Sequence, residues 1–426
     1  MTDYDVAVIG ASLSGSSVAT FLARQGARVA LIESHSDPQA FKRMCTHFIQ
    51  ASASPTIDRL GLTERIREAR GRPGDTNVWT RYGWISFTRE GAPAPMADWP
   101  AWNIRREKLD PLVRELAAST DGVELMLGHT VNGVLRDGGR VSGVRVRERS
   151  GDERELRATL VVAADGRDSE LAKLADVKTK LKPHRRFGYF AYYRDTPLVT
   201  GDNAQMWMLD PDIAYAFPTD DDLVLLTVMP VKDRLPEFRP DPEAAMARLF
   251  ETLPDGPRID PGKRVSKVLG KLETPNVVRP ATQPGLALVG DAAIAADPLW
   301  GVGCGWAFQS AEWLSETVGP ALSGGPESVD RALGAYRARH RAGLAAHEKF
   351  CSLYSTGRRF NPMEKLLYRA AARDRQVAHQ VALMGERWIT PPELLTPRTL
   401  ARVLRVNLTP RSRPIGLRRA ASPVAG

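Results

Sequence analysis

The segment DVAVIGASLSG, residues 5–15, constrains the fold of this chain more than any other feature. An apolar run leads into Gly10, Ser12 and Gly15, and a second apolar run ends at Glu33. The spacing provides a sharp turn, a small residue that lets the backbone approach a pyrophosphate, and close packing of helix on strand. An acidic residue about 20 positions downstream can accept hydrogen bonds from a ribose hydroxyl. The segment therefore predicts a strand–helix–strand unit that binds a dinucleotide.

Length and composition exclude several classes of protein. The chain has 426 residues, of which 43% are hydrophobic, so it can bury a large core. No apolar run is long enough to cross a membrane and the N-terminus lacks a secretory signal, so we expect a soluble cytoplasmic protein. The three cysteines are too few for a disulfide framework, and no Cys/His cluster indicates a metal site. The net charge of +9 comes mostly from scattered Lys and Arg, which favours an anionic cofactor over nucleic acid.

The order of apolar patterns predicts an α/β fold with a Rossmann-like domain, an inserted and mainly antiparallel β-sheet domain, and a C-terminal helical segment. Residues 1–179 form the first part of the Rossmann-like domain and contain an irregular stretch at 70–102. Residues 180–264 carry short aromatic and β-branched strands, which we interpret as the substrate domain. Residues 265–345 return to the first domain, and 346–426 form a helical region with a basic tail.

Two later motifs are predicted to complete the nucleotide site. ADGRDS, residues 164–169, ends one buried strand, and GDAAIAADPLWGVGCGW, residues 290–306, follows another. A buried strand that ends in Gly-Asp places a carboxylate at the sheet edge where ligands bind. The glycines at 301, 303 and 305 let the backbone pass against a flat ring, and N–H groups at a helix start stabilise negative charge there. Cys304 is interpreted as a small filler of this loop.

In this order, GASLSG with Glu33, ADGRDS, and GDAAIAADPLWGVGCGW resemble motifs of the p-hydroxybenzoate-hydroxylase-type flavoprotein superfamily. That superfamily includes aromatic hydroxylases, epoxidases, flavin halogenases and geranylgeranyl reductases. The resemblance extends to about residue 345 and implies that the cofactor is FAD rather than NAD. The residues predicted to bind FAD are Gly10, Ser12, Gly15, Glu33, Arg43, Arg106, Asp165, Gly166, Gly290, Asp291, Pro298, Gly301, Gly303 and Cys304.

Of these assignments, Arg106 has a neighbouring alternative and Arg43 rests on the resemblance alone. Arg106 matches the family's arginine at the start of an apolar helix, predicted from Arg106 to about Ala118, and Arg105 is its neighbour. Consecutive residues do not share a helix face, so only one can point inward, and we prefer Arg106. Arg43 lies in a loop that in the family runs along the cofactor.

Three residues are candidates for catalysis. Cys45 lies where geranylgeranyl reductases carry a Cys-Gly pair, but Thr46 replaces the glycine, so a buried structural cysteine is the alternative. His47 can act as an acid or base beside the ring, or can be structural. Tyr215, in IAYAFP, shares a strand face with Phe217 and is expected to direct its hydroxyl into the cavity, although a plain core strand is an alternative.

The resemblance implies chemistry at the flavin. The strand IAYAFP lacks both tryptophans of the halogenase signature WxWxIP, which disfavours halogenation. We predict an FAD-dependent monooxygenase of secondary metabolism that hydroxylates or epoxidises an apolar or aromatic small molecule through a flavin C4a-hydroperoxide, with NAD(P)H as reductant. A reductase of carbon–carbon double bonds, similar to geranylgeranyl reductase, is the alternative. An aromatic substrate wall supports the first; its residues are Phe187, Tyr189, Trp207, Tyr215 and Phe217.

Possible partners follow from the same interpretation. A separate flavin reductase is left open as the source of electrons, and nucleic acid is not expected. The basic tail is interpreted as a frayed terminus rather than a membrane-binding helix, because Pro410 and Pro414 interrupt it.

Overall fold

Five parallel strands form the centre of the fold in a computed structural model that describes residues 2–86, 94–409 and 414–417. We call them the central sheet. In spatial order they are Leu286–Leu288, Glu153–Ala163, Tyr4–Ile9, Val29–Glu33 and Val123–Leu127. Their central positions are almost uninterrupted apolar runs, as expected for parallel strands covered on both faces. The carboxyl ends of these strands meet at one edge, so the three predicted motifs converge there.

An antiparallel arm extends one of these strands. Thr130–Asp137 and Arg140–Arg147 form a hairpin that turns at Gly138 and Gly139, and the second strand pairs with Glu153–Ala163. Thr282–Gln283 pairs antiparallel with Leu286–Leu288 at the sheet edge.

Helices cover the central sheet. Leu13–Ala23 is buried along most of its length and packs against Gly303–Val318 and Arg106–Ala118. The last of these agrees with the helix predicted from Arg106 to about Ala118. The shorter helices of this part of the chain are Ser54–Leu60, Thr63–Glu68 and Glu170–Leu174.

A seven-stranded second sheet is mainly antiparallel, as predicted. The predicted irregular stretch at 70–102 is wrong in part, because two of its segments are strands of this sheet and residues 87–93 lie outside the described residues. Thr76–Thr80 pairs in parallel with Ala204–Met208, more than a hundred residues away, which local patterns do not reveal. In spatial order the strands are Leu269–Lys271, Gly188–Tyr193, Val224–Met229, Ile213–Pro218, Ala204–Met208, Thr76–Thr80 and Gly83–Ile85.

Two three-stranded sheets link the parts of the fold. One pairs Ala101–Asn103 with Phe48–Ile49 and Arg72–Gly74. The other pairs Asn276–Val278 with Lys180–Lys182 and Ile294–Ala295.

The predicted aromatic wall is divided between the two faces of the second sheet. Met206 pairs with Tyr215 and shares its face, whereas Trp207 lies on the opposite face because side chains alternate along a strand. Trp207 and Tyr189 pack there with aromatic residues of the helices Leu235–Phe238 and Pro242–Glu251. The prediction that Tyr189 and Trp207 line the substrate wall is therefore wrong.

The C-terminal region is helical, as predicted, and covers the other face of the second sheet. Tyr368 and Met384 pack in one core with Met206 and Tyr215. Residues 410–413 and 418–426, including Pro410, lie outside the described residues. No helix of the described residues combines the length and apolar character needed to cross a membrane. The helices of this region are Gly325–Ser355, Pro362–Ala371, Arg375–Gly385, Pro391–Leu394 and Pro397–Leu408.

Candidate functional site

The glycine turn after the first strand is closed by backbone contacts. Gly10 has a φ of +100°, and a Cβ built on it would lie 2.6 Å from the carbonyl oxygen of Ala164. A Cβ on Gly15 would lie only 1.8 Å from the carbonyl oxygen of Gly10. Strand, turn and helix therefore approach so closely that a side chain fits at neither position.

A cavity of about 680 Å³ lies at the carboxyl ends of the central strands. It has the size of a site for a cofactor or small molecule. Most of the residues predicted from the sequence meet here, although they are distributed over nearly 300 positions of the chain. The predicted residues that line it are Gly10, Ser12, Glu33, Cys45, Arg106, Asp165, Gly166, Asp291, Pro298, Gly301, Gly303 and Cys304.

Five predicted residues have other positions. Gly15 and Gly290 support the site from behind, since a Cβ on Gly290 would lie 2.9 Å from the hydroxyl oxygen of Ser14. Among the described residues, Arg43, His47 and Tyr215 do not line this cavity either.

Glu33 ends its strand inside the cavity and holds the adjoining loops. Its carboxylate accepts the N–H groups of Ala11 and His35, each at 2.9 Å. Burial raises the pKa of this carboxyl, but the hydrogen bonds from His35 and Ala11 outweigh that effect and the pKa lies below its ordinary value. Glu33 is therefore ionised at neutral pH, and it fixes the turn while it lines the cavity.

Because the pKa of Glu33 is lower in the folded chain, its contribution to stability is complete above the ordinary value of 4.5 and is lost as the pH falls through the folded pKa. We expect Glu33→Gln to lower the free energy of unfolding at pH 7 by about 1–3 kcal/mol. The difference from wild type should shrink below pH 4.5. Denaturant unfolding at several pH values measures this. Glu64→Gln, at an exposed position, should have almost no effect, and a difference that does not depend on pH would contradict the assignment.

One face of the helix Arg106–Ala118 supplies charge to the cavity. Arg106, Asp110 and Arg114 recur every four residues and all line the cavity. The Nε of Arg106 donates to Asp110 at 2.6 Å, and its Nη2 donates to the Ser12 hydroxyl at 2.7 Å. Arg105 instead donates to Asp220 and Asp221 beside the second sheet. The choice of Arg106 over Arg105 agrees with this geometry.

Lys42 lines the cavity, whereas the predicted Arg43 does not. Arg43 is exposed outside the cavity, whereas the Nζ of Lys42 donates to Asp291 at 2.8 Å. Burial raises the pKa of Asp291, but the positive charges of Lys42 and Arg167 outweigh it and hold that pKa below its ordinary value. An ionised carboxylate thus faces the cavity from the Gly-Asp motif.

Asp165 lines the cavity and also accepts hydrogen bonds from the start of the helix Glu170–Leu174. Its carboxylate accepts the hydroxyl of Ser169 at 2.5 Å and the N–H of Leu171 at 2.9 Å. Burial raises its pKa despite these bonds. The Asp-Gly motif therefore shapes the turn at the end of Glu153–Ala163 and lines the cavity.

Two cysteines face each other in the cavity wall. The sulfur atoms of Cys45 and Cys304 are 3.8 Å apart, and both thiols are free. A hydrogen bond from Cys304 lowers the pKa of Cys45 well below its ordinary value, and Arg106 and Lys42 add to this. The interpretation of Cys304 as a mere filler is therefore incomplete, because its thiol contacts Cys45 in the cavity wall.

His47 is enclosed behind the cavity wall. Its Nδ1 accepts the backbone N–H of Arg106 at 2.9 Å, and its Nε2 is hydrogen-bonded to the hydroxyl of Tyr192. Burial lowers its pKa to about 4, so it is neutral at pH 7. The structure does not place His47 as an acid or base in the cavity; it fixes the start of the helix that carries Arg106.

Tyr215 belongs to a smaller apolar chamber of about 70 Å³ that adjoins the main cavity. The two share Thr46, Phe48, Pro298 and Gly301 in their walls. The hydroxyl of Tyr215 donates to the carbonyl oxygen of Leu299, so it is not the free catalytic hydroxyl that the sequence analysis expects. The remaining walls come from the second sheet and the C-terminal helices; they include Val78, Ile85, Met206, Met208, Phe217, Tyr368, Val381 and Met384.

The lining of the main cavity fits FAD. Gly10, Ser12 and Leu13 line the cavity at the N-terminus of the helix Leu13–Ala23, where helix N–H groups bind phosphate. Arg106 adds a cation beside Ser12, and Glu33 and Asp291 provide carboxylates that accept hydrogen bonds from hydroxyl groups. These donors and acceptors match the phosphates and hydroxyls of a dinucleotide.

Comparison with known proteins agrees with this geometry. The chain belongs to the family described as FAD binding domain, whose family model matches residues 3–349. It is thus an FAD-dependent oxidoreductase. A digeranylgeranylglycerophospholipid reductase of Picrophilus torridus is 26% identical over 333 residues, which cover 75% of this chain and 79% of the relative.

Solved structures share the fold at lower identity. The flavin-dependent brominase Bmp2 has a TM-score of 0.74 at 19% identity, covering 95% of this chain and 98% of that one. PqsL of Pseudomonas aeruginosa, described as a probable FAD-dependent monooxygenase, has a TM-score of 0.67 at 21% identity, covering 89% of this chain and 99% of that one. Another PqsL structure is a complex with 2-aminobenzoylacetate.

Proposed function

We propose that this chain is an FAD-dependent monooxygenase that hydroxylates or epoxidises an apolar or aromatic small molecule, with NAD(P)H as the source of electrons. The observation that carries the proposal is the apolar chamber beside the main cavity. Its walls are almost entirely aliphatic and aromatic side chains, and Phe48, Pro298 and Gly301 border both spaces. A substrate in the chamber would therefore lie against the part of the cofactor that the Gly301 loop contacts.

Different residues bind different parts of the cofactor and the substrate in this proposal. Glu33, the Gly10 turn and Arg106 hold the nucleotide part of FAD, and Asp291 holds its hydroxyl-bearing chain. Met206, Tyr215 and Phe217 bind the apolar substrate and exclude water. The cofactor supplies electron transfer from NAD(P)H to oxygen. The hydrogen bond from Cys304, together with the cations Arg106 and Lys42, lowers the pKa of Cys45 in the same cavity wall.

A second candidate function is reduction of carbon–carbon double bonds. The relative from Picrophilus torridus, named as a digeranylgeranylglycerophospholipid reductase, supports it. The apolar chamber suits a polyene as well as an aromatic ring, so the lining alone does not decide between the two reactions.

Isotope labelling distinguishes the two reactions. Holoprotein is incubated with NADH or NADPH under ¹⁸O₂ and a panel of phenols, aromatic acids and isoprenoid polyenes. Monooxygenation gives a product with one ¹⁸O atom and consumes oxygen in step with NAD(P)H. Reduction gives a product heavier by two hydrogens that also forms without oxygen. Turnover of neither kind across the panel contradicts both functions.

A bulky substitution in the chamber wall tests whether the substrate binds in the chamber. Ala382 lines the chamber, and Ala382→Phe should raise KM for the best substrate about tenfold or more because overpacking excludes the ligand. The same change at the exposed residue Ala338 is the matched control and should leave KM unchanged. Equal KM values for Ala382→Phe and wild type would remove the chamber as the substrate site.

A further inference from the structure

The C-terminal helix, Pro397–Leu408, carries apolar side chains on its exposed face. Val403 and Val406 are buried against the fold, which holds the helix in place. Leu404 and Leu408 are one helical turn apart on the opposite face, and they are 53% and 80% exposed. The interpretation of the basic tail as a frayed terminus is therefore wrong up to Leu408, because the chain forms a packed helix to that point.

A neighbouring helix extends the surface on which these leucines lie. The Nδ2 of Asn407 donates to the carbonyl oxygen of Leu366 at 3.0 Å. Arg402 donates to the carboxylate of Asp374 at 2.8 Å. The C-terminal helix therefore runs antiparallel to Pro362–Ala371, and its end lies beside the start of that neighbour.

Exposed apolar side chains are concentrated in this part of the chain. Ten large apolar side chains of the described residues are exposed, and six of them belong to the last 76 of the 426 residues. A cluster of exposed apolar side chains is typical of a surface that binds a partner. The six are Leu353, Met363, Leu395, Leu404, Leu408 and Ile415.

The same region is strongly basic. After Glu393 the sequence contains seven arginines and no lysine, aspartate or glutamate, so its last 33 residues carry +7 of the net charge of +9. Glu364, the acidic residue of the neighbouring helix, is paired with Arg358. The exposed arginines and large apolar side chains of the two helices form what we call the C-terminal surface; they are Met363, Arg369, Arg398, Leu404, Arg405 and Leu408.

We propose that the C-terminal surface binds an anionic lipid membrane. Arginines beside exposed leucines, on a helix without acidic side chains, are typical of helices that lie in the membrane interface. The leucines enter the boundary between headgroups and acyl chains, and the arginines bind the negatively charged lipid phosphates. The charge of the region complements such a membrane, which a neutral bilayer does not offer.

The position of this surface gives membrane binding a use. The helix Pro362–Ala371 has the exposed Met363 at its start and Tyr368 in the wall of the apolar chamber. A bound membrane would thus lie beside an element that borders the chamber, and an apolar substrate would be met in the phase that dissolves it. Binding to the membrane does not depend on which reaction the flavin performs.

Sedimentation of the full-length holoprotein with vesicles tests the proposal. The protein should sediment with vesicles made of equal parts of phosphatidylglycerol and phosphatidylcholine, and should stay in the supernatant with phosphatidylcholine alone. High salt should weaken the binding, because it screens the attraction between arginines and lipid phosphates. Binding to neither kind of vesicle, or equal binding to both, would overturn the proposal.

Two double variants assign the binding to the C-terminal surface. Leu404→Ser combined with Leu408→Ser should weaken binding to the anionic vesicles by about tenfold or more, because less apolar area is buried. Arg398→Gln combined with Arg405→Gln should weaken it by about fivefold for each arginine. Leu181→Ser, at a position 64% exposed outside this region, is the matched control and should bind as wild type does. Wild-type affinity in either double variant would contradict the assignment.

A second copy of the chain is the competing occupant of this surface. Light scattering without vesicles should give the same mass for wild type and for the Leu404→Ser, Leu408→Ser variant. A smaller mass for that variant would assign the surface to contacts between copies and would overturn the proposal. Flavin absorbance and thermal unfolding should match wild type in both double variants, since the substituted side chains are exposed.

Discussion

Gly15→Ala is expected to lower the free energy of unfolding by about 3 kcal/mol or more and to abolish FAD retention. The new Cβ would lie 1.8 Å from the carbonyl oxygen of Gly10 and 3.0 Å from the Cβ of Ala164. Neither the Gly10 carbonyl oxygen nor the Ala164 Cβ belongs to a flexible side chain, so the first helix must move away from the strand. Overpacking of this kind typically costs about 1–3 kcal/mol, and more where the neighbours cannot move. The same movement opens the phosphate cradle at the start of that helix.

Thermal unfolding and the flavin absorbance of the purified variant measure both effects. Gly334→Ala is the matched control, because this glycine lies within the helix Gly325–Ser355 and nothing approaches its missing Cβ within 4 Å. There alanine should be neutral or should stabilise by about 1 kcal/mol through helix propensity. A Gly15→Ala protein as stable and as yellow as wild type would show that the turn is not closed as described.

Asp291→Ala is expected to weaken FAD binding by about 10- to 100-fold for each hydrogen bond that its carboxylate makes to the cofactor. Hydrogen bonds to a charged group contribute about 1.5–3 kcal/mol, and each 1.4 kcal/mol is a factor of ten in affinity. Lys42 would lose its partner, but its side chain is half exposed and water can solvate it. The fold should therefore survive while the cofactor leaves.

Titration of the FAD-free protein with FAD, followed by flavin fluorescence, gives the affinities. Asp291→Asn keeps an acceptor without the charge and should fall between wild type and Asp291→Ala. Asp121→Ala, at an exposed turn, should bind FAD as wild type does. Unchanged affinity in Asp291→Ala would place the cofactor away from the Gly-Asp motif.

Those parts of the site that depend on backbone geometry are predictable from the sequence. Gly10, Ser12 and Gly15 predict a turn because the spacing of small residues is itself the structural requirement, and the turn forms as expected. Parallel strands that end in polar motifs must bring those motifs to one edge, so Glu33, Asp165 and Asp291 were predictable together. Arg106 was preferred over Arg105 by the same kind of argument, from helix geometry.

Long-range pairing and side-chain direction limited the other predictions. Lys42, rather than Arg43, meets Asp291 because of how an irregular loop runs, which no periodic pattern encodes. Cys45 and Cys304 are 259 positions apart, and only the folded chain brings their sulfur atoms together. The position of Arg114 is predictable from the sequence, since Arg114 follows Arg106 and Asp110 at helical spacing on the face that lines the cavity.

We propose that three separate turns at the ends of parallel strands together hold one FAD. A crystal structure of the chain grown with FAD tests it most directly. The account predicts one extended FAD per chain, with a ribose at Glu33, phosphates at the Gly10 turn and the remainder passing Asp291 toward Gly301. Density for FAD outside this cavity, or a colourless protein that takes up no FAD, would contradict it.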